Sequence, residues 1–168
     1  VLPPILARTG EVAFLVFSLN DVTERKRAEE KVLQDSIYMR NLIEASLDPL
    51  VTINPDGKIM DVNKATELVT GFPREQILGS DFSFYCTDPE KAREGYQQVF
   101  TLGFVRDYPL TIRHTSGKIT EVLYNASVYK NEAGDVEGVF AAARDITELK
   151  DAEEKLKQTI KELTQSNA

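Results

Sequence analysis

The sequence predicts an α+β domain that has a layer of five strands and a layer of helices. Two short apolar segments near residue 50 are joined by a turn, and three longer segments with alternating apolar and polar residues lie between residues 108 and 143. The intervening residues, 63–103, carry the caps and stops of helices. Strands and helices that are separated along the chain in this way are typical of helices packed on an antiparallel sheet.

The first predicted element is a β-hairpin. Residues 50–53 form a short apolar run, and residues 58–62 follow as its second arm. The four residues between them, 54–57, read Asn-Pro-Asp-Gly, in which the proline presets φ and the glycine supplies a positive φ. We therefore expect two strands joined by a tight turn.

Two short helices are predicted next. Asn63 can cap a helix over residues 64–69, because its side chain can accept a hydrogen bond from an unpaired amide of the first turn. Gly71 is expected to end this helix. A further helical turn is predicted over residues 74–78, with Gly79 as its stop.

A longer helix is predicted over residues 89–102, and Gly103 is its expected stop. Proline is favoured at the first helical position, which is where Pro89 lies. Asp88 has the chemistry of an N-cap, and Thr87 has the spacing of a capping box. The sequence leaves both registers open.

Three strands with a period of two complete the domain. They are predicted over residues 108–113, 122–129 and 136–143, and polar turns separate them at 114–118 and 131–135. The last strand is rich in glycine and alanine, which leaves room against that part of the sheet.

The two ends of the chain resemble each other. Residues 21–34 read DVTERKRAEEKVLQ and residues 145–158 read DITELKDAEEKLKQ, so nine of fourteen aligned positions are identical. An apolar stretch precedes each segment, and their separation of 124 residues is too long for a solenoid repeat. Tandem domains joined by similar helices explain this pattern, and a chance similarity between two charged helices is the alternative.

The tandem interpretation divides the chain into four segments. They are the last strand of a truncated preceding domain (1–23), a linker helix (24–46), one complete domain (47–147) and a C-terminal helix (148–168). Because the chain begins at Val1, we expect it to be a fragment of a longer protein.

Composition excludes several classes of function. The chain has 168 residues, a net charge of −7 and a pI of about 4.9, which argues against nucleic acid and against anionic membrane surfaces as partners. A single Cys and a single His argue against a disulfide and against a His/Cys metal cluster, so no metal site is predicted. Apolar runs are too short for a membrane span, and the composition favours a cytoplasmic protein.

Several motifs in order resemble the PAS domain (sensory box) family. The resemblance covers residues 47–147, and Asp21-Val22-Thr23 implies a second, truncated copy upstream. The matching motifs are residues 48–53 with Asp56-Gly57, residues 61–65, Thr70-Gly71-Phe72, Ile77-Leu78-Gly79, residues 115–118, and Asp145-Ile146-Thr147.

The resemblance implies a five-stranded antiparallel sheet with helices on one face, flanked by N- and C-terminal linker helices. It implies that any ligand lies between that face and the helices. Asp145-Ile146-Thr147 would be the signalling motif that ends the last strand, and the C-terminal helix would carry signals to an output domain. The implied parent is a tandem-PAS protein such as a sensor histidine kinase, in which adjacent PAS and output domains are partners in the same chain.

The resemblance does not extend to the cofactor motifs of the family. The helix over 89–102 has no His to ligate haem, although Tyr96 is a rare type of ligand, and the only His, His114, is expected in a solvated turn. Phe82 stands where the light-sensing flavin branch has its reactive Cys, and Cys86 lies four residues later as a small apolar side chain. We predict no cofactor, and the sequence contains no motif that predicts a catalytic residue.

A small organic ligand is the remaining binding hypothesis. Polar tips among apolar walls are typical of ligand sites, which singles out Tyr108, Tyr124 and Asn125. The alternative is that the aromatic residues fill the core of a ligand-free dimerisation and spacer module. The candidate pocket residues are Phe82, Phe84, Tyr85, Phe100, Phe104, Tyr108, Tyr124, Asn125 and Ala141.

Heptad spacing in the C-terminal helix predicts a parallel homodimer. Leu149, Leu156 and Leu163 recur every seven residues, and Ile146 and Ile160 occupy partner positions. Glu153 interrupts the seam. In the N-terminal helix Val32, Met39 and Ile43 fit the same pattern, and Arg25, Glu29 and Ser36 interrupt it. The alternative for both helices is that the apolar stripe packs on the domain.

Overall fold

The computed structural model describes residues 22–166. Five strands form one antiparallel sheet with the order β2-β1-β5-β4-β3, and this confirms the predicted α+β class. The strands are β1 (Leu50–Ile53), β2 (Ile59–Val62), β3 (Phe104–Arg113), β4 (Ile119–Lys130) and β5 (Val136–Asp145). The helices are α1 (Thr23–Ala45), α2 (Lys64–Thr70), α3 (Arg74–Ile77), α4 (Pro89–Leu102) and α5 (Thr147–Ser166), with a 3₁₀ helix at Phe82–Tyr85.

One face of the sheet is buried beneath helices. Successive side chains of a strand point to opposite faces, so β4 buries Val122, Tyr124 and Ala126 and leaves the residues between them at least partly accessible. β5 buries Val139, Ala141 and Ala143 in the same way. These side chains form one core with Val51 and Ile53 of β1, Ile59 and Val62 of β2, Ile77 of α3, and Ala92, Tyr96 and Val99 of α4.

The predicted helix caps are found where the sequence places them. Asn63 accepts a hydrogen bond from the amide of Thr66, and Gly71 ends α2 with a φ of 78°. Asp88 caps α4 through the amide of Lys91, which settles the register that the sequence left open.

Two local features were not predicted. The 3₁₀ helix at Phe82–Tyr85 forms because Asp81 caps it, accepting hydrogen bonds from the amide and the hydroxyl of Ser83. β3 starts four residues earlier than predicted, because a bulge between Val105 and Tyr108 lets the pairing with β4 continue.

The flanking helices bury no side chain along their lengths. The compact unit that contains the sheet begins at Arg40, within α1. The strand expected in the truncated preceding domain, residues 1–23, falls almost entirely outside the described residues.

Candidate functional site

A small apolar cavity lies between the buried face of the sheet and the helices. Its volume is about 30 Å³, which is room for about two water molecules. Among residues 22–166, no charged side chain lines it. The lining residues are Pro49, Val51, Ile59, Thr66, Val69, Thr70, Phe82, Tyr85, Cys86, Leu110, Ile112, Val122, Tyr124 and Ala143.

One polar atom at this cavity lacks a partner. The hydroxyl of Tyr124 is buried and has no hydrogen bond to the described residues. By contrast, the hydroxyl of Tyr85 is 2.8 Å from Ser80 Oγ, and those of Thr66 and Thr70 donate to backbone carbonyls. Among the described residues, the Tyr124 hydroxyl is therefore the one unpaired polar group of the cavity wall to which a bound molecule could hydrogen-bond.

Burial keeps the cavity wall uncharged. It raises the pKa of Tyr124 well above the ordinary tyrosine range, and the nearby Cys86 thiol adds to the effect. Burial, assisted by the charge of Asp88, raises the pKa of Cys86 to about 12. A thiol with this pKa is almost entirely protonated at neutral pH, so Cys86 has little nucleophilic character.

Six of the nine predicted pocket residues lie in or beside the core. Phe82, Tyr85 and Tyr124 line the cavity. Ala141 is fully buried in the sheet, and Phe100 and Tyr108 pack partly buried against the core. The hydroxyl of Tyr108 donates to the carbonyl of Lys91 in α4, 2.9 Å away, so its polar tip has a structural partner.

The other three residues are exposed, and like Ala141, Phe100 and Tyr108 they do not line the cavity, which corrects the expectation that all nine share it. Phe84 is 67% exposed and lies on the outer side of the 3₁₀ helix, between two buried residues. Phe104 is 54% exposed, and Asn125 is exposed because it follows Tyr124 in a strand and faces the opposite side of the sheet. The side chain of Asn125 accepts a hydrogen bond from the amide of Asp107 instead.

Sequence reasoning missed eleven of the fourteen cavity residues, among them Thr66, Thr70 and Pro49. The two threonines lie four residues apart on α2, so a helical period was the available signal for a shared face. Pro49 gave no such signal, because only the tertiary packing places it at the cavity.

Asn63, at the junction of β2 and α2, bonds to two helices. Its side-chain oxygen accepts hydrogen bonds from the amides of Leu50 and Thr66. Its side-chain nitrogen donates to the carbonyl of Ile43, 3.2 Å away in the last turn of α1, and to the carbonyl of Asp48 at 3.0 Å. Asn63 is 1% exposed, and a single buried amide therefore serves the end of α1 and the start of α2.

A cluster of charges surrounds this amide. Arg40 of α1 donates to both oxygens of Asp61, and Arg74 of α3 lies 2.5 Å from the same carboxylate. Glu44 pairs with Arg40, and it accepts a hydrogen bond of 2.7 Å from the amide of Lys64, the first residue of α2. Burial lowers the pKa of Arg40, but the hydrogen bonds to Glu44 and Asp61 outweigh burial and leave that pKa raised.

The predicted signalling motif joins β5 to α5. Asp145 accepts a hydrogen bond of 2.8 Å from the amide of Thr147, and Ile146 is buried. The amide of Ile146 donates to the carbonyl of Glu121 in β4, and Lys150 pairs with the Glu121 side chain at 3.0 Å. The first turn of α5 is therefore attached to the sheet.

The predicted dimer residues of α5 are accessible. Leu149, Leu156, Ile160 and Leu163 are between 54% and 61% exposed in the single chain. Within residues 22–166, no helix is long and apolar enough to cross a membrane, and no group of three His, Cys, Asp or Glu side chains is arranged to hold a metal ion.

The strand order and the helices on one face of the sheet define a PAS-type fold. The PAS domain family matches residues 47–148, which is more than half of the chain. The chain belongs to the PAS domain family.

The relatives include a histidine-protein kinase and virulence sensor proteins, and the structural neighbours include PAS domains. The signal transduction histidine-protein kinase AtoS of Escherichia coli (strain K12) is 24% identical over 158 residues, which are 89% of this chain and 23% of that protein. The virulence sensor protein BvgS of Bordetella bronchiseptica is 24% identical over 82% of this chain and 12% of that protein. The chain thus spans less than a quarter of the length of either relative.

A solved PAS domain from Colwellia psychrerythraea superimposes with a TM-score of 0.60 at 22% identity, covering 70% of this chain and 98% of that one. At this identity the similarity establishes the shared fold.

Proposed function

We propose that the chain is a relay module of a multidomain sensor protein of the histidine kinase type, acting as a parallel homodimer in the cytoplasm. In this proposal the phosphotransfer chemistry belongs to an output domain elsewhere in the protein, and this domain is not an enzyme. A preceding PAS domain and the output domain are its partners within the chain.

The attachment of the two flanking helices carries this proposal. The last two turns of α1 bond to β2 and to the start of α2, and the first turn of α5 bonds to β4. Beyond these turns the described parts of both helices leave large apolar side chains exposed. A domain that holds two helices by their near ends can convert a shift of one helix into a shift of the other.

The heptad seam of α5 supplies a dimer contact. Apolar side chains spaced alternately by four and three residues form one stripe along a helix, and such a stripe pairs with an identical stripe in a parallel coiled coil. Glu153 occupies a position in this stripe. A charged group there keeps the helix pair marginally stable, which suits a contact that must rearrange.

Replacing Leu156 and Leu163 by Asp is expected to weaken dimerisation at least about tenfold, because each leucine buries an apolar side chain in the helix pair. Sedimentation velocity over a range of concentrations measures this change. Gln158→Asp with Gln165→Asp is the matched control, since it adds the same charge to the same helix on the opposite face. An unchanged sedimentation profile for the leucine variant would contradict the proposed seam.

Ligand sensing is the second candidate function, and the unpaired hydroxyl of Tyr124 favours it. The cavity wall carries no charge, so a bound molecule would be small and uncharged and would offer one hydrogen-bond acceptor. A ligand-free spacer would instead leave this hydroxyl unpaired.

Tyr124→Phe distinguishes the two possibilities. In a ligand-free chain, removal of an unpaired buried hydroxyl is expected to raise the free energy of unfolding by about 1 kcal/mol. Urea denaturation measures the change, and Tyr85→Phe, which removes a hydrogen-bonded hydroxyl, is the control that should lower stability. Destabilisation by Tyr124→Phe, together with extra mass released on denaturation in native mass spectrometry, would establish a bound ligand.

A further inference from the structure

The last two turns of α1 are attached to the domain by polar groups. No side chain of α1 is buried, yet Arg40, Glu44 and the carbonyl of Ile43 all bond to residues of the β2–α2 segment. Hydrogen bonds weaken steeply when distance or angle departs from the optimum, whereas apolar contacts tolerate sliding. This attachment is therefore sensitive to small displacements of the helix.

Only an amide side chain can make the bonds that Asn63 makes. It donates to carbonyls at the end of α1 and accepts from the amide of Thr66 at the start of α2. An ionised Asp of the same shape would accept but could not donate, and it would face the carbonyls of Ile43, Ser46 and Asp48 with a negative charge.

α1 also supplies part of the N-terminal capping of α2. Glu44 belongs to α1 and accepts the hydrogen bond from the amide of Lys64. Arg74 lies between the carboxylates of Glu44 and Asp61, and it donates to the carbonyl of Val62. A displacement of α1 would leave an amide of the first turn of α2 without its partner.

We propose that five residues form a helix joint that couples the position of α1 to the cavity. The residues of the helix joint are Arg40, Glu44, Asp61, Asn63 and Arg74. When α1 shifts, the N-terminus of α2 loses bonds, and α2 carries Thr66 and Thr70 into the cavity wall. The coupling is reciprocal, so a change in the cavity also changes the attachment of α1. This inference rests on the relay function in one respect, since it takes α1 as the input element.

Hydrogen exchange on the 168-residue chain tests the helix joint. Asn63→Asp keeps the acceptor and removes the donor, so amides in residues 40–46 should exchange at least about tenfold faster, while the amides of α2 that follow Lys64 stay protected. Arg40→Gln is the second variant in case a buried Asp prevents folding, because the Arg40 side chain is 34% exposed. Arg25→Gln, which breaks the exposed pair with Glu29 on the same helix, is the control.

Cys86 provides the readout at the cavity. It is the only cysteine, it is buried, and it lines the cavity, so its rate of reaction with a thiol reagent such as DTNB reports opening of the cavity. We expect Arg40→Gln to raise this rate about tenfold and to speed exchange of the Lys64 amide, and Arg25→Gln to change neither.

Faster exchange in residues 40–46 with no change at Lys64 or Cys86 would overturn the proposal, because the joint would then be a local anchor. Unchanged exchange in residues 40–46 would overturn it as well. Both readouts use a single chain and need no dimer, so their result is separate from that of the leucine variants, which test the relay function.

Discussion

At the scale of single residues, the absence of a side chain at Gly95 decides how β3 meets α4. A Cβ built on Gly95 would lie 2.8 Å from Cε1 of Tyr108. The ring of Tyr108 cannot easily move away, because its hydroxyl is bonded to the carbonyl of Lys91 one turn earlier in the same helix. Glycine is therefore required here for close packing, although it lies within a helix.

Gly95→Ala is expected to destabilise the domain by about 1–3 kcal/mol, the usual cost of overpacking. The same substitution in an unhindered helix stabilises by about 0.5–1 kcal/mol. Thermal or urea denaturation of both single variants and of the double variant with Tyr108→Ala measures the coupling. In the Tyr108→Ala background Gly95→Ala should become stabilising, and a destabilising effect there would show that Tyr108 is not the obstacle.

The alternation of side chains along a strand explains which of the predicted pocket residues in β4 reach the cavity. Tyr124 faces the cavity as predicted, but Asn125 follows it directly and so faces the opposite side of the sheet. Strict use of the period of two would have assigned these two neighbouring residues to opposite faces of the sheet. The unpaired state of the Tyr124 hydroxyl was beyond sequence reasoning, because it depends on which groups the tertiary fold brings near it.

At the scale of elements, the helix ends were the most predictable features. The caps of α2 and α4 are Asn, Asp and Gly residues. Each cap forms its hydrogen bond with a residue three or four positions away in the sequence, so a short sequence pattern predicts it. The second role of Asn63, at the end of α1, involves residues 15 to 20 positions away. A pattern within a short sequence window cannot predict a hydrogen bond between residues so far apart in the chain.

Asp88→Ala is expected to lower the free energy of unfolding by about 1 kcal/mol, because the amide of Lys91 loses its acceptor. Urea denaturation measures the loss. Thr87→Ala is the control, since the alternative capping register would place the larger loss there. Equal losses for the two variants would contradict the observed cap.

At the scale of the whole molecule, the sequence predicted the strand order along the chain and the class of fold. It did not predict the size of the cavity. Whether Phe82 and Tyr124 leave a space depends on the tilt and separation of their rings, whose centroids are 5.2 Å apart. Packing of this kind is decided by three-dimensional fit among residues from several elements, which composition and periodicity do not contain.

The exposure of apolar side chains on α1 and α5 can be explained only by considering the assembled protein. Large apolar patches on an isolated domain mark surfaces that are covered in the assembled protein. In α1 the exposed residues include Val32, Leu33, Ile37 and Met39, and in α5 they include the heptad leucines. In the proposed homodimer these side chains are the ones that the helix of the second chain would cover.

The irregularity of β3 has a consequence for a protein built from similar domains in series. β3 is an edge of the sheet, and it combines a bulge, a positive φ of 49° at Asp107 and a proline, Pro109, that has no amide hydrogen. An edge of this kind cannot accept another strand in regular register. In the proposed tandem arrangement, neighbouring copies that emerge from the ribosome one after another would thus be hindered from exchanging strands through this edge.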